Sequence, residues 1–266
     1  MARIALGLEY DGAAFCGWQT QAGGCSVQDA LERALSKIAG QTVGTVCAGR
    51  TDSGVHALAQ VVHFDPPAPR PPSAWVRGVN TLLPEEACVL WAKEVDEDFH
   101  SRYSALSRTY VYYLLERSQR PALTASRVGW FHLPLSVDRM QMAAHCLLGE
   151  LDFSAFRAAE CQAKSPVRTL TRMQIERRGA LLRFELRANA FLQHMVRNIV
   201  GSLVYVGCGR QSVEWLREVL ESRDRNRAAP TFSAAGLYLA QVEYPARWQL
   251  PPAQDCSVIE TTLAAG

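Results

Sequence analysis

Asp52 stands in the run Ala48-Gly49-Arg50-Thr51-Asp52-Ser53-Gly54-Val55-His56-Ala57, between two glycines and two residues after a cation. Glycines let a backbone fold sharply and let a ligand come close. An apolar, strand-like run, Leu58-Ala59-Gln60-Val61-Val62-His63-Phe64, follows at once, and a rigid strand behind a turn is a good mount for a reactive group. A carboxylate so placed can act as a covalent nucleophile. It must be ionised to do so, which in a dry site requires a nearby positive charge. The plainer alternative is a hairpin whose Asp52 only bonds its own backbone in an Asx-turn.

Other residues offer chemistry of their own. Tyr110 begins the aromatic run Tyr110, Tyr112, Tyr113. A tyrosine ring can stack on a base, and its hydroxyl can act as donor or general acid and base; core packing is the alternative. Alternation sends Tyr110 and Tyr112 to one face and Tyr113 to the other. Arg197 lies on a helical pattern with His194, Asn198 and Gly201, opposite an apolar face of Val196, Ile199, Val200 and Leu203. Its plain reading is a solvated helix face. His56 reads as structural, bonded within the turn.

The elements that must carry these groups follow from periodicity. Ile4, Leu6, Leu8 and Tyr10 form one face of a strand. Ser26, with Asp29 at the capping-box position, opens a helix of Val27, Ala30, Leu31, Ala34, Leu35 and Ile38 that Gly40 ends. A short strand precedes the Arg50–Ala57 turn and a longer one follows it to Phe64. Five prolines mark residues 65–73 as a loop. A helix over Ser73–Leu83 and a strand over Ala87–Val95 complete the order β-α-β-β-α-β. After a junction at Phe99–Ser107 the order recurs: a strand from Arg108 to Glu116, a helix from Ser136 to Gly149, strands over Arg168–Arg178 and Leu181–Ala190, helices over Phe191–Val206 and Ser212–Leu220, and a strand over Gly236–Tyr244. The expected fold is α+β: two ferredoxin-like, RNP-like modules with mostly antiparallel sheet and helices on one face, the active site in the cleft between them. The expected divisions are 1–104, carrying Asp52, then a basic module over 105–246 and an irregular tail over 247–266. The two halves do not visibly repeat in sequence.

Composition bounds the partners. The net charge is +2, yet residues 1–100 carry seven Lys and Arg against twelve Asp and Glu, whereas residues 101–250 carry twenty-one against twelve. A basic section within a near-neutral chain points to a polyanion. Nearly all the cations are arginine, whose planar fork suits phosphates and bases; an arginine-rich genome would give the same bias. The sheet signature of RNA-recognition motifs is absent. No apolar run reaches membrane-spanning length, because His194, Arg197 and Asn198 interrupt the best one, Phe191–Val206. The N-terminus has no signal-peptide layout, so the expected compartment is cytoplasmic. Eight scattered cysteines, without a Cys-x-x-Cys pair, suggest neither zinc nor a redox motif, and are expected to be free thiols in the core.

Several ordered blocks resemble one family over nearly the whole chain: Tyr10-Asp11-Gly12 with Phe15, Gly17-Trp18-Gln19 and Gln28; Gly49–Ala57; Phe99–Ala105 with Arg108-Thr109-Tyr110; Phe153–Arg157 with Cys161 and Arg168; Asn189–Gly201; and Gly236–Leu239. They are similar to the TruA-type tRNA pseudouridine synthases. The resemblance implies isomerisation of uridine to pseudouridine, in which the bond to N1 breaks, the base rotates and a bond to C5 forms, with no cofactor. It implies Asp52 as nucleophile, Tyr110 as the active-site tyrosine and Arg197 as the active-site arginine, paired with Asp52. Arg50 is the candidate to fill the vacancy left by a flipped uridine, a phosphate contact or a surface ion pair being its alternative. Leu237 packs against the base or is ordinary core. Arg157, Arg168 and Arg172 are candidates for phosphate contacts. The implied substrate is the anticodon stem-loop of tRNA at positions 38–40, and the implied assembly a homodimer. Two other classes compete: a catalytically silent tRNA-binding or chaperone protein, and a metal-free hydrolase using Asp52 and His56, which lacks a second carboxylate at suitable spacing and leaves the basic half unexplained.

Overall fold

Alternation in the first residues produces a strand, and a computed structural model of the chain, which describes residues 3–253 and 257–264, places it inside a sheet, paired on both sides. In chain order the elements are β1 (Arg3–Tyr10), α1 (Val27–Ala39), β2 (Val46–Cys47), β3 (His56–Phe64), α2 (Pro72–Asn80), β4 (Ala87–Val95), β5 (Ser107–Glu116), β6 (Gly129–Phe131), α3 (Val137–Ala144), β7 (Gly149–Asp152), β8 (Val167–Arg178), β9 (Leu181–Ala188), α4 (Met195–Gly207), α5 (Trp215–Ser222), β10 (Leu237–Glu243) and α6 (Ser257–Ala264). The chain forms two units: Met1–Leu106 with Tyr238–Cys256, and Ser107–Leu237 with Ser257–Gly266. Among the described residues no helix is long and apolar enough to cross a membrane.

In the first unit β4, β1 and β3 pair antiparallel in that order, with Ile4 opposite Phe64 and Tyr10 opposite Ala57 across β1 and β3. Two strands share the far side of β3. β2 takes its C-terminal end, with Cys47 opposite Val62, and β10 runs parallel to its start, with Tyr238 opposite His56. The order β4-β1-β3-β2 is the ferredoxin-like arrangement. α1 begins as its sequence demands. Ser26 Oγ accepts from the Asp29 amide, Asp29 answers by accepting from the Ser26 amide, and Gly40 ends the helix at φ 78°. Ala5, Val61 and Ala48 pack with Phe99 and Trp248 in a further apolar cluster, all but excluded from solvent.

The second unit is built on β5, which pairs antiparallel with β9, as β9 does with β8 and β8 with β7; β6 lies parallel to β5. α4 is buried over most of its length and packs against α3. The fold is thus α+β with mostly antiparallel strands.

Four expectations differ from the structure. The strand expected to close the second module, from Tyr238 on, belongs to the first unit, because its register partners are His56 and Ala57. The tail expected to be irregular contains α6, whose Glu260 pairs with Arg183 at 2.9 Å and with Arg178, and accepts from the Tyr113 hydroxyl at 3.1 Å; these partners lie far away in sequence. α4 starts at Met195 rather than Phe191, since His194 sits at φ 62°, a left-handed conformation that a right-handed helix cannot contain. Finally, Cys16 and Cys25 form a disulfide. The glycine-rich loop doubles back so that the Cys16 amide donates to the Cys25 carbonyl at 3.1 Å, bringing the Cα atoms to 5.5 Å.

Candidate active site

The first unit carries Asp52 and Arg50 on the loop between β2 and β3. The Val55 amide donates to the Asp52 carbonyl at 3.1 Å, closing a β-turn with Gly54 at φ 78°. A left-handed residue at the third position is what a type II turn requires, and glycine supplies it without strain. Asp52 is half-buried and Arg50 exposed. The loop rests on the segment that follows β1. The Trp18 amide donates to the Thr51 carbonyl at 2.9 Å, and Ser53 Oγ donates to the Phe15 carbonyl at 3.3 Å. The approach is so close that a Cβ on Gly17, itself at φ 98°, would lie 2.9 Å from the Thr51 carbonyl oxygen. Here the glycine is needed for both its conformation and its lack of a side chain.

His56 begins β3 as a packed structural residue, but its Nδ1 bonds to the segment after β1 rather than within its own turn. Its Nδ1 accepts from the Gly12 amide at 3.1 Å and lies 3.1 Å from an Asp11 carboxylate oxygen, and its ring stacks on Tyr238 at 4.5 Å. Sequence reasoning missed one polar group beneath the loop. Gln60, on β3, is wholly buried with Tyr10 and Thr51. An amide in the otherwise apolar strand was the available signal.

Tyr110, Arg197 and Leu237 belong to the second unit. Tyr110, near the start of β5, is buried edge-on to Phe191 with ring centres 5.0 Å apart. Tyr112 and Tyr113 are buried too, and the Tyr112 hydroxyl donates to the Ser233 carbonyl at 2.9 Å. Leu237 is buried at the start of β10. Arg197 lies in the first turn of α4, its Nε donating to the Phe232 carbonyl at 2.8 Å. The helix face it shares is packed rather than solvated. Asn198 is fully buried, donates to the Phe156 carbonyl at 2.8 Å, and accepts from Arg225 at 3.0 Å and Thr231 at 2.7 Å. A Cβ on Gly201 would strike the Pro230 carbonyl oxygen at 2.5 Å.

The three candidate phosphate-binding arginines are engaged locally. Arg157 donates to the carbonyl of Ala163 at 3.0 Å, Arg168 to that of Ser165 at 2.9 Å, and Arg172 pairs with Glu185 at 2.7 Å. Among the described residues there is no group of three or more His, Cys, Asp or Glu disposed to hold a metal ion.

The Asp52 carboxylate thus sits on a turn held by two backbone segments and followed directly by β3. A family model described as tRNA pseudouridine synthase matches residues 7–104 and 143–245, and the chain belongs to that family, whose members are isomerases. Among curated relatives it is 58% identical over 255 residues to tRNA pseudouridine synthase A of Thiobacillus denitrificans, covering 96% of this chain and 98% of the relative. It is 57% identical to the protein of that name from Dechloromonas aromatica, covering 95% and 97%, and 56% identical to that of Nitrosomonas europaea, covering 94% and 92%.

Proposed function

We propose that this chain isomerises uridine to pseudouridine at positions 38–40 in the anticodon stem-loop of tRNA, with Asp52 as the nucleophile. The observation that supports this most directly is the placement of Asp52. It is half-buried at the start of a glycine turn that two backbone segments hold in place, within the part of the chain that the family model matches. A positioned carboxylate can form and release a covalent bond to the uridine while the bond from ribose C1′ to N1 breaks, the uracil turns and a bond from C1′ to C5 forms, the proton on C5 being lost and N1 ending protonated. The overall change is an isomerisation, so no oxidant, reductant or water is consumed.

In this reading Tyr110 offers its ring as a stacking platform and its hydroxyl as donor, and Arg197 supplies positive charge to the reaction. Arg50, exposed on the Asp52 loop, enters the space left by the flipped uridine. Leu237 packs against the base. The basic composition of residues 101–250 favours the tRNA backbone, and the enzyme works as a cytoplasmic homodimer.

The test is incubation of purified protein with unmodified tRNA transcript, followed by derivatisation and mass spectrometry to locate pseudouridine. Asp52→Asn is expected to abolish turnover while tRNA affinity stays close to that of the parent. Retention of a tenth or so of the turnover would remove Asp52 as nucleophile, since loss of an essential nucleophile costs several orders of magnitude. Binding with no pseudouridine from the parent protein would favour the silent tRNA-binding class.

A further inference from the structure

Three polar side chains meet beneath the Asp52 loop, in a place where apolar residues would pack as well. Gln60 Nε2 donates to the Gly49 carbonyl at 2.7 Å and to the Tyr10 hydroxyl at 3.3 Å, and its Oε1 accepts from the Val61 amide at 3.2 Å. Both amide protons and the amide oxygen are thus engaged, which fixes the orientation of the group. The Tyr10 hydroxyl shares a hydrogen bond of 2.8 Å with the Thr51 hydroxyl. Gln60 is 0% exposed, Tyr10 4% and Thr51 6%.

The connections are specific. Gly49 and Thr51 flank Arg50, and Thr51 immediately precedes Asp52. The network therefore grips the chain on both sides of Arg50, from two different strands. The Trp18 amide holds the Thr51 carbonyl from another direction. Thr51 is thus held through both its side chain and its backbone, which restrains the dihedrals that aim the next residue. Burial pushes the Tyr10 hydroxyl above the usual tyrosine range, opposed only in part by its hydrogen bonds to Thr51 and Gln60.

We propose that Tyr10, Gln60 and Thr51 are positioning residues for the isomerisation, a brace that aims the Asp52 carboxylate. The proposal rests on Asp52 being the nucleophile. A nucleophile must be held near its attack geometry, and a misplacement of about 1 Å can cost about a hundredfold in rate. Buried hydroxyls are costly to desolvate, and replacing both partners of a buried hydrogen bond with apolar groups of the same shape is close to neutral for stability. Phe at position 10 and Val at position 51 would fill the same space and leave only the longer Gln60 bond, at 3.3 Å, without its acceptor, so most of what the two hydroxyls add is direction.

The experiment uses the double variant Tyr10→Phe/Thr51→Val, with Thr51→Ser and Asp52→Asn in parallel. Single-turnover rate, tRNA affinity and Tm are measured for each. The double variant is expected to keep its tRNA affinity and most of its Tm while its single-turnover rate falls about tenfold to a hundredfold. Thr51→Ser, which retains the hydroxyl, is expected to restore most of the rate. A parent-like rate in the double variant, a loss lying wholly in tRNA affinity, or Thr51→Ser as slow as the double variant would each overturn the brace. An inactive Asp52→Asn beside a fully active double variant refutes the brace alone. An active Asp52→Asn refutes the nucleophile, and the brace with it.

Discussion

The Nε of Arg197 donates to the carbonyl of Phe232 at 2.8 Å, and the amide of Phe232 donates back to the carbonyl of Arg197 at 3.3 Å. The guanidinium is therefore oriented by one of its own donors. Lysine keeps the charge but has no Nε–H and no planar fork. Arg197→Lys is expected to fold normally and to lose about tenfold or more in kcat with little change in KM, on the usual scale for a lost charged hydrogen bond. A lysine variant as fast as the parent would show that charge alone suffices at this position.

Arg50 is exposed on the Asp52 loop, so its removal should not unsettle the fold. If it occupies the space of a flipped uridine, Arg50→Ala will slow single turnover more than it weakens tRNA binding. A 2-aminopurine beside the target uridine reports unstacking directly. Its fluorescence is expected to rise on mixing with the parent enzyme and to rise less with Arg50→Ala. An unchanged rise, coupled with weaker binding, would identify a phosphate contact instead.

His63 makes the first unit sensitive to acid. Its Nδ1 accepts from the Ser101 amide at 3.1 Å. Burial, together with Arg3 and His100 nearby, lowers its pKa to about 4, against a smaller opposing effect of Asp65. The unfolded chain takes up this proton near pH 6.5 and the folded chain only near pH 4, so between those values the unfolded state binds more protons. Stability is therefore complete above about pH 6.5 and is lost as the pH falls toward 4. Urea midpoints measured across that window are expected to decline in the parent and to decline less in His63→Gln. Parallel profiles would place the acid sensitivity elsewhere.

The Cys16–Cys25 bridge closes a short loop, with a sequence separation of 9. Chain entropy assigns such a closure roughly 2–3 kcal/mol. Treatment with a dithiol, which is oxidised as the bridge becomes two thiols, is expected to lower the Tm of the parent and leave Cys16→Ala/Cys25→Ala unmoved. Since Phe15 and Trp18 beside the bridge contact Ser53 and Thr51, kcat is the second readout. An equal response of both proteins to dithiol would mean that the bridge adds nothing.

What the sequence made legible was local. Ser26, Asp29 and Gly40 announce both ends of α1, and the β4 boundaries Ala87 and Val95 follow from alternation and the preceding proline. The motif around Asp52 also reads as a turn followed by a strand. What remained hidden depends on partners distant in the chain. Tyr238 gives no sign that it pairs with His56, and Glu260 none that it will find Arg183. Gln60 reads as an interruption of an apolar strand until Tyr10 and Gly49 are beside it. The left-handed His194 is invisible to periodicity, because Phe191 and Leu192 continue the apolar pattern ahead of the helix.

The pairing of Tyr238 and Leu239 with the start of β3 has a consequence for the order in which the protein is made. β1, β3 and the Asp52 loop leave the ribosome early, and the first unit can begin to condense while the rest is being translated. Its last strand is then still hundreds of nucleotides away on the message. Until those codons are read, His56 lacks the ring that stacks on it, and the strand that mounts Asp52 has an open side. A chain terminated before Tyr238 would carry every residue of the catalytic motif on an unfinished scaffold. Full assembly of that scaffold thus waits until β10 has been made.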